Sequence, residues 1–189
     1  MSFRNRFAAA AAAVALSATT YAVIASAKYK WAGDQGVQFQ ALGPAGMKIN
    51  GTSPHLKAEE SEGKMTFTAS LLHLDTDEPT GLRDKHLRKY LEVDKHKDAI
   101  LVLDTNNIKV PEDGKESSGE ASGKFTLHGV TKDLKFNYKV KRTGSDLHSR
   151  GNFKVNIEDY KIEQPCYLGV CVQPNVNVKV KFKLREKGK

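Results

Sequence analysis

Arg83, Asp84 and His86 form the densest polar cluster in the chain, spaced so that one helical turn would present a guanidinium and an imidazole together. An Arg side chain meets a phosphate or carboxylate through two parallel hydrogen bonds, so Arg83 with His86 could hold an anionic head group. The competing reading is structural: Asp84 caps the start of a helix, and its two neighbours tie that helix to the rest of the fold. The six histidines are His55, His73, His86, His96, His128 and His148. None stands in a His-x-His or His-Glu-x-x-His spacing, so a metal site would have to be assembled from distant segments, and none is expected. Gly119-Glu-Ala-Ser-Gly-Lys124 is one residue short of a phosphate-binding loop, and Phe125 stands where that loop needs a hydroxyl. A Gly-x-Ser-x-Gly nucleophile elbow is also missing. An enzyme would need polar groups converging inside the core, with His73, His86 and Tyr138 as the few candidates. We therefore expect no catalytic residue and no cofactor.

The two cysteines, Cys166 and Cys171, have four residues between them. A thioredoxin-like site wants Cys-x-x-Cys and haem attachment wants Cys-x-x-Cys-His, and neither fits. In an oxidising compartment the pair reads as a structural disulfide pinching a loop.

Residues 1–27 point to that compartment. Arg4 and Arg6 start the chain positively, an alanine-dominated apolar run follows from Phe7 to Ala25, and Ala25-Ser26-Ala27 has the small-x-small cleavage pattern. We expect a secretory signal peptide over 1–27 and one domain over 28–189, in the periplasm or outside the cell. The full chain carries a formal charge of +8, and loss of the two arginines brings it to +6. That balance could favour an anionic membrane surface. The lysines are spread along the chain without a basic block interleaved with aromatics, so no nucleic-acid partner is expected.

The elements that must position these groups are strands. Val176, Val178, Val180, Phe182 and Leu184 alternate with Asn177, Lys179, Lys181, Lys183 and Arg185, which puts every apolar side chain on one face. The same period of two runs through Phe125 and Leu127, through Phe136, Tyr138 and Val140, and through Phe153, Val155 and Ile157, with turn signals at Gly129–Asp133 and Thr143–Asp146. Upstream, Gly36 to Leu42, Met47 to Asn50, His55 to Glu60, Lys64 to Leu74 and Ala99 to Val110 are looser candidates. Pro111 to Gly119 is polar and turn-rich and reads as an exposed hairpin loop. From Leu82 to about Lys95 the rhythm changes: Leu87, Tyr90 and Leu91 recur at helical spacing among charges, predicting a short amphipathic helix across one end of the sheet. About eight antiparallel strands with one apolar face each can form a sandwich, or close into a barrel whose interior is either filled by side chains or holds one ligand.

Three motifs in order resemble the YceI family of secreted bacterial lipid-binding barrels. They are Arg83-Asp84-x-His86-Leu87 with its continuation Lys89-Tyr-Leu-Glu-Val-Asp-Lys95, then Gly123-Lys-Phe-Thr-Leu-His-Gly-Val-Thr-Lys132, then the Tyr167-Leu-Gly169 loop leading into the Val176 to Val180 strand. The resemblance implies an all-β fold: an extended, eight-stranded, antiparallel, lipocalin-like barrel with one short helix near its end. It also implies a binding or carrier protein for a polyisoprenoid or other amphiphilic lipid, such as a polyprenyl phosphate or an isoprenoid quinone. Phe125, Leu127, Phe136, Tyr138, Val140, Phe153, Val155, Val178, Val180 and Phe182 are the candidate lining, with Arg83 and His86 at the head group. Two features depart from the family pattern: His96 and Lys97 replace an aromatic residue and a proline, and the Cys166–Cys171 pair is a local addition. The rival reading is a packed, ligand-free barrel acting through its basic surface, and a homodimer is compatible with either.

Overall fold

The computed structural model describes residues 28–187 apart from 34 and 168; the expected signal peptide lies outside the described residues. Among the described residues the chain forms one large antiparallel sheet, one α-helix and a two-stranded ribbon. The strands are β1 (Tyr29–Trp31), β2 (Gly36–Leu42), β3 (Lys48–Ser53), β4 (Leu56–Ser61), β5 (Lys64–Ser70), β6 (Asp98–Asp104), β7 (Glu116–Leu127), β8 (Val130–Thr143), β9 (Asp146–Asn156), β10 (Cys166–Tyr167), β11 (Val170–Cys171) and β12 (Asn175–Glu186). The helix α1 spans Leu82–Tyr90.

Ten strands rather than eight make up the main sheet, in the order β3-β2-β12-β9-β8-β7-β6-β5-β4 with β1 paired to β12. The sheet curls into a half-barrel. Its hydrogen-bonded path ends on β3 and β4, which Pro54-His55 joins directly in sequence. Backbone bonds between Thr52 and Asp75, of 2.8 and 3.0 Å, tie the β3 edge to the segment after β5. The Tyr29 amide donates to Glu60 Oε2 at 2.8 Å and ties β1 to β4.

Two-residue turns set the registers. Glu62-Gly63 (φ 51° and 74°) joins β4 to β5, and His128-Gly129 (φ 51° and 72°) joins β7 to β8. Left-handed conformation at both central positions gives a turn whose twist matches that of paired strands. The β7–β8 register extends further than expected. Glu116 to Gly119 pair with Lys141 to Tyr138, so the last four residues of the polar stretch read as a loop are strand. Conversely, β5 stops at Ser70 and β6 at Asp104, where Thr105–Asn107 takes up a 3-10 turn capped by the Asp104 carboxylate accepting from Asn106 N–H at 2.9 Å.

The helix is held at both the start and the flank, though not as the sequence suggested. Asp84 does not cap it. The N-terminal position is Gly81 in left-handed conformation, and the Glu78 carboxylate accepts from the Leu82 amide at 3.0 Å and the Arg83 amide at 3.4 Å. A negative charge there is favoured by the helix dipole. Asp84 is buried and accepts from the amide and hydroxyl of Thr76 at 2.9 and 2.5 Å, fastening α1 to the loop after β5.

Two buried clusters make up the core. One gathers Leu71, Leu74, Leu91, Val93, Phe125, Leu127, Leu134, Val155, Tyr160 and Ile162. The other gathers Met65, Leu103, Ala121, Phe136, Val140, Leu147 and Leu184. Leu101 and Phe153 pack against both.

Candidate functional site

Alternation along each strand sends every second side chain to the concave face of the sheet, and the registers align those side chains in rows. Phe39, Val178 and Phe153 stand side by side across β2, β12 and β9. The next row runs Val37, Val180, Gly151, Tyr138 and Gly119 across β2, β12, β9, β8 and β7. Large side chains in such rows would fill the interior, but small ones recur: Gly151 and Gly119 sit in one row, Ser149 opposite Phe182 in another. The result is a cavity of about 1410 Å³ along the concave face. Drug-sized sites measure roughly 300–1,000 Å³. The space therefore suits a ligand longer than a typical metabolite.

All ten residues named as lining candidates border this cavity: Phe125, Leu127, Phe136, Tyr138, Val140, Phe153, Val155, Val178, Val180 and Phe182. Tyr138 keeps its hydroxyl satisfied by accepting from the Lys109 amide at 3.0 Å. Sequence reasoning missed the other wall. Val37 and Phe39 of β2, Met65 and Phe67 of β5, and Leu101 and Leu103 of β6 also border the cavity. In β6 the run Ala99-Ile-Leu-Val-Leu103 is apolar on both faces, which hides the period of two. In β2 and β5 alternation was legible in Val37, Phe39 and Ala41 and in Met65, Phe67 and Ala69, interleaved with glutamines and threonines.

The helix lies along one part of the wall with a single face toward the space. Arg83, His86, Leu87 and Tyr90, at i, i+3, i+4 and i+7, all border it. Arg83 and His86 remain exposed, and the Arg83 guanidinium donates to the Thr76 carbonyl at 3.5 Å. They stand at the rim rather than inside. Met47 and Val170, two exposed large apolar side chains, border the same cavity. Val170 belongs to the β10–β11 ribbon, where Cys166 and Cys171 form the expected disulfide with Cα atoms 3.9 Å apart. Cys166 and Val170 put this ribbon on the cavity wall, and Val172 just beyond it borders the cavity too.

Another polar group, absent from the sequence reading, is brought together where α1 ends. Glu92 and His96 follow the helix, His128 sits in the β7–β8 turn, and one potential ligand atom from each lies within 4.8 Å of the others. Glu92 and His128 border the cavity. The hydrogen bond and charge of the Lys95 ammonium hold the Glu92 carboxyl below the usual carboxylate range. No local sequence pattern signals this group, since β6 and β7 separate His128 from Glu92 and His96 in the chain.

A polyisoprenoid-binding domain from Saccharophagus degradans superposes with a TM-score of 0.72 at 16% identity, over 85% of this chain and 99% of that one. BcnA of Burkholderia cenocepacia gives 0.63 at 12% identity, over 79% and 95%. The YceI protein of Campylobacter jejuni gives 0.55 at 18% identity, over 74% and 86%. At these identities the likeness is one of fold. No protein of curated function is a significant match. The profile of the YceI-like domain, by contrast, matches residues 30–184 in sequence, reaching into every strand of the half-barrel and covering the helix at its rim, and the chain belongs to that family.

Proposed function

We propose that this chain is an exported carrier that holds a polyisoprenoid lipid, a polyprenyl phosphate or an isoprenoid quinone, in the apolar cavity of the half-barrel. The observation that carries this reading is the cavity itself: about 1410 Å³, walled chiefly by Val, Leu, Ile, Met and Phe side chains. A prenyl chain in water is penalised by about 0.8 kcal/mol per methylene, and an apolar channel recovers that free energy without directional contacts. The fold neighbour from Saccharophagus degradans, described as a polyisoprenoid-binding domain, supports the ligand class. Arg83 and His86 at the rim are suited to a phosphate or carbonyl head group. The ligand would pass between membrane surfaces or to a membrane enzyme, with no covalent step on the protein. A cavity of this size weighs against the packed, ligand-free reading.

A plug tests the site. Gly151 is in an inward row, and a Cβ there would find no atom nearer than Asn137 O at 4.0 Å. We expect Gly151→Trp to fold with unchanged circular dichroism and to take up an added polyprenyl phosphate at least tenfold more weakly. Equal uptake by a folded Gly151→Trp protein would place the lipid elsewhere.

A further inference from the structure

We propose that Glu92, His96 and His128 form a binding site for a late first-row divalent metal ion, of the Zn²⁺ type, beside the cavity at the end of α1. The proposal stands apart from the lipid reading and rests on three observations.

The first is the state of the His128 ring. Its Nδ1 lies 3.1 Å from the backbone carbonyl of Tyr160, which can only accept, so Nδ1 carries the proton. In the neutral ring Nε2 is then a bare lone pair. That atom is shut off from solvent and has no hydrogen-bond partner, although Glu92 Oε2 is 3.2 Å away. A proton on Nε2 would make the two groups an ion pair; with the ring neutral, the lone pair and the carboxylate oxygen repel each other, and a metal cation between them relieves that repulsion. Metal-ligating histidines have this arrangement, with one ring N–H given to a backbone carbonyl and the other nitrogen presented to the ion.

The second is spacing. Zinc binds imidazole nitrogen and carboxylate oxygen at about 2.0–2.2 Å, so neighbouring ligand atoms around a tetrahedral ion stand about 3.3 Å apart. The Glu92–His128 separation already matches, and His96 completes a group whose ligand atoms all fall within 4.8 Å.

The third is support from the backbone. The His96 amide donates to the Glu92 carbonyl at 2.9 Å, closing a turn that brings these two residues back toward each other. The His96 ring packs over Gly129, where a Cβ would come within 2.7 Å of it, and stands edge-on to His128 with ring centres 4.8 Å apart. Lys95 donates to Glu92 Oε1 at 2.9 Å and leaves Oε2 for the ion.

Two imidazoles with one carboxylate suit zinc, nickel or copper, and fit poorly with magnesium and calcium, which take oxygen ligands. Three protein ligands leave a further position open to water or an anionic group.

The test is a calorimetric titration of the chelator-treated protein with Zn²⁺, repeated with Co²⁺ and read by visible absorption. One saturable equivalent is expected, with the d–d bands of a nitrogen–oxygen site. His96→Ala should weaken binding at least tenfold, and Glu92→Gln, which keeps the side chain's size, should weaken it as well. His55→Ala should leave binding unchanged; it removes the other close imidazole pair, His55–His73, with ring centres 4.2 Å apart. His96→Ala carries the test because His128 also holds the hairpin turn; should it fail to fold, Glu92→Gln takes its place. The proposal is overturned if no saturable binding is seen, if both cluster variants bind as the parent does, or if binding disappears with His55→Ala.

Discussion

Asp146 and Arg185 face each other directly across β9 and β12, joined by two parallel hydrogen bonds of 2.5 and 2.9 Å, with Lys183 at 3.6 Å. The Arg185 guanidinium is the main reason the Asp146 carboxyl is held down to about 2. An unfolded Asp titrates near 3.9. Because the folded value is the lower one, the pair contributes stability that is fully present above about pH 4 and disappears as pH falls toward 2. The expected outcome is that Asp146→Asn melts below the parent at pH 7 and that the two melting curves converge near pH 2, as followed by circular dichroism. A gap that persists at pH 2 would mean that the side chain acts by something other than its charge. The partnership itself was legible only in part. Alternation puts Arg185 on the outward face, but its partner depends on a register that sequence does not print. Asp84 teaches the same lesson in reverse: its position three residues into the helix suggested a cap, whereas Glu78 caps and Asp84 turns inward to Thr76.

Among the elements, the best-read strands are those with one wet face. β12 and β8 alternate cleanly because lysine and asparagine cover the convex side, and Phe136, Tyr138, Val140, Val178, Val180 and Phe182 followed from that pattern alone; in β9 only Phe153 and Val155 did, since Ser149 and Gly151 lack apolar contrast and Ile157 falls in a 3-10 turn. β6 lacked such contrast, and the first half of β7 is too polar to announce a strand; it forms because β8 is long enough to pair with it. The helix was legible from Leu87, Tyr90 and Leu91, but its end at Tyr90 was not, since the five residues that follow continue as turns. Its anchoring can be measured. Asp84→Ala leaves the Thr76 amide and hydroxyl without their acceptor in a buried site, and a buried donor left unpaired costs about 1–3 kcal/mol. Urea denaturation should show a loss of that size, and a change below about 0.5 kcal/mol, the level of an ordinary surface substitution, would mean that the loop finds other support.

At the scale of the molecule, the sequence pointed to a one-sided sheet around an apolar interior and left open whether that interior was filled. Alternation states which side chains face inward but not how far apart opposite walls stand, and curvature, set by pairing order and twist, decides that. The curled ten-stranded sheet leaves about 1410 Å³ between walls that include all ten of the residues singled out beforehand. The edges show why closure was not legible. β3 and β4 are held by Thr52–Asp75 and Tyr29–Glu60 contacts instead of a continuous ladder, and no periodicity encodes such contacts. The reading of this molecule as a lipid carrier depends on what occupies that interior. The most direct measurement is to purify the protein from a bacterial host without detergent, extract it with organic solvent, and identify the extract by mass spectrometry against protein concentration. One isoprenoid lipid per chain is expected; a clean extract, from a protein that also fails to take up added prenyl lipid, would rule out the carrier role.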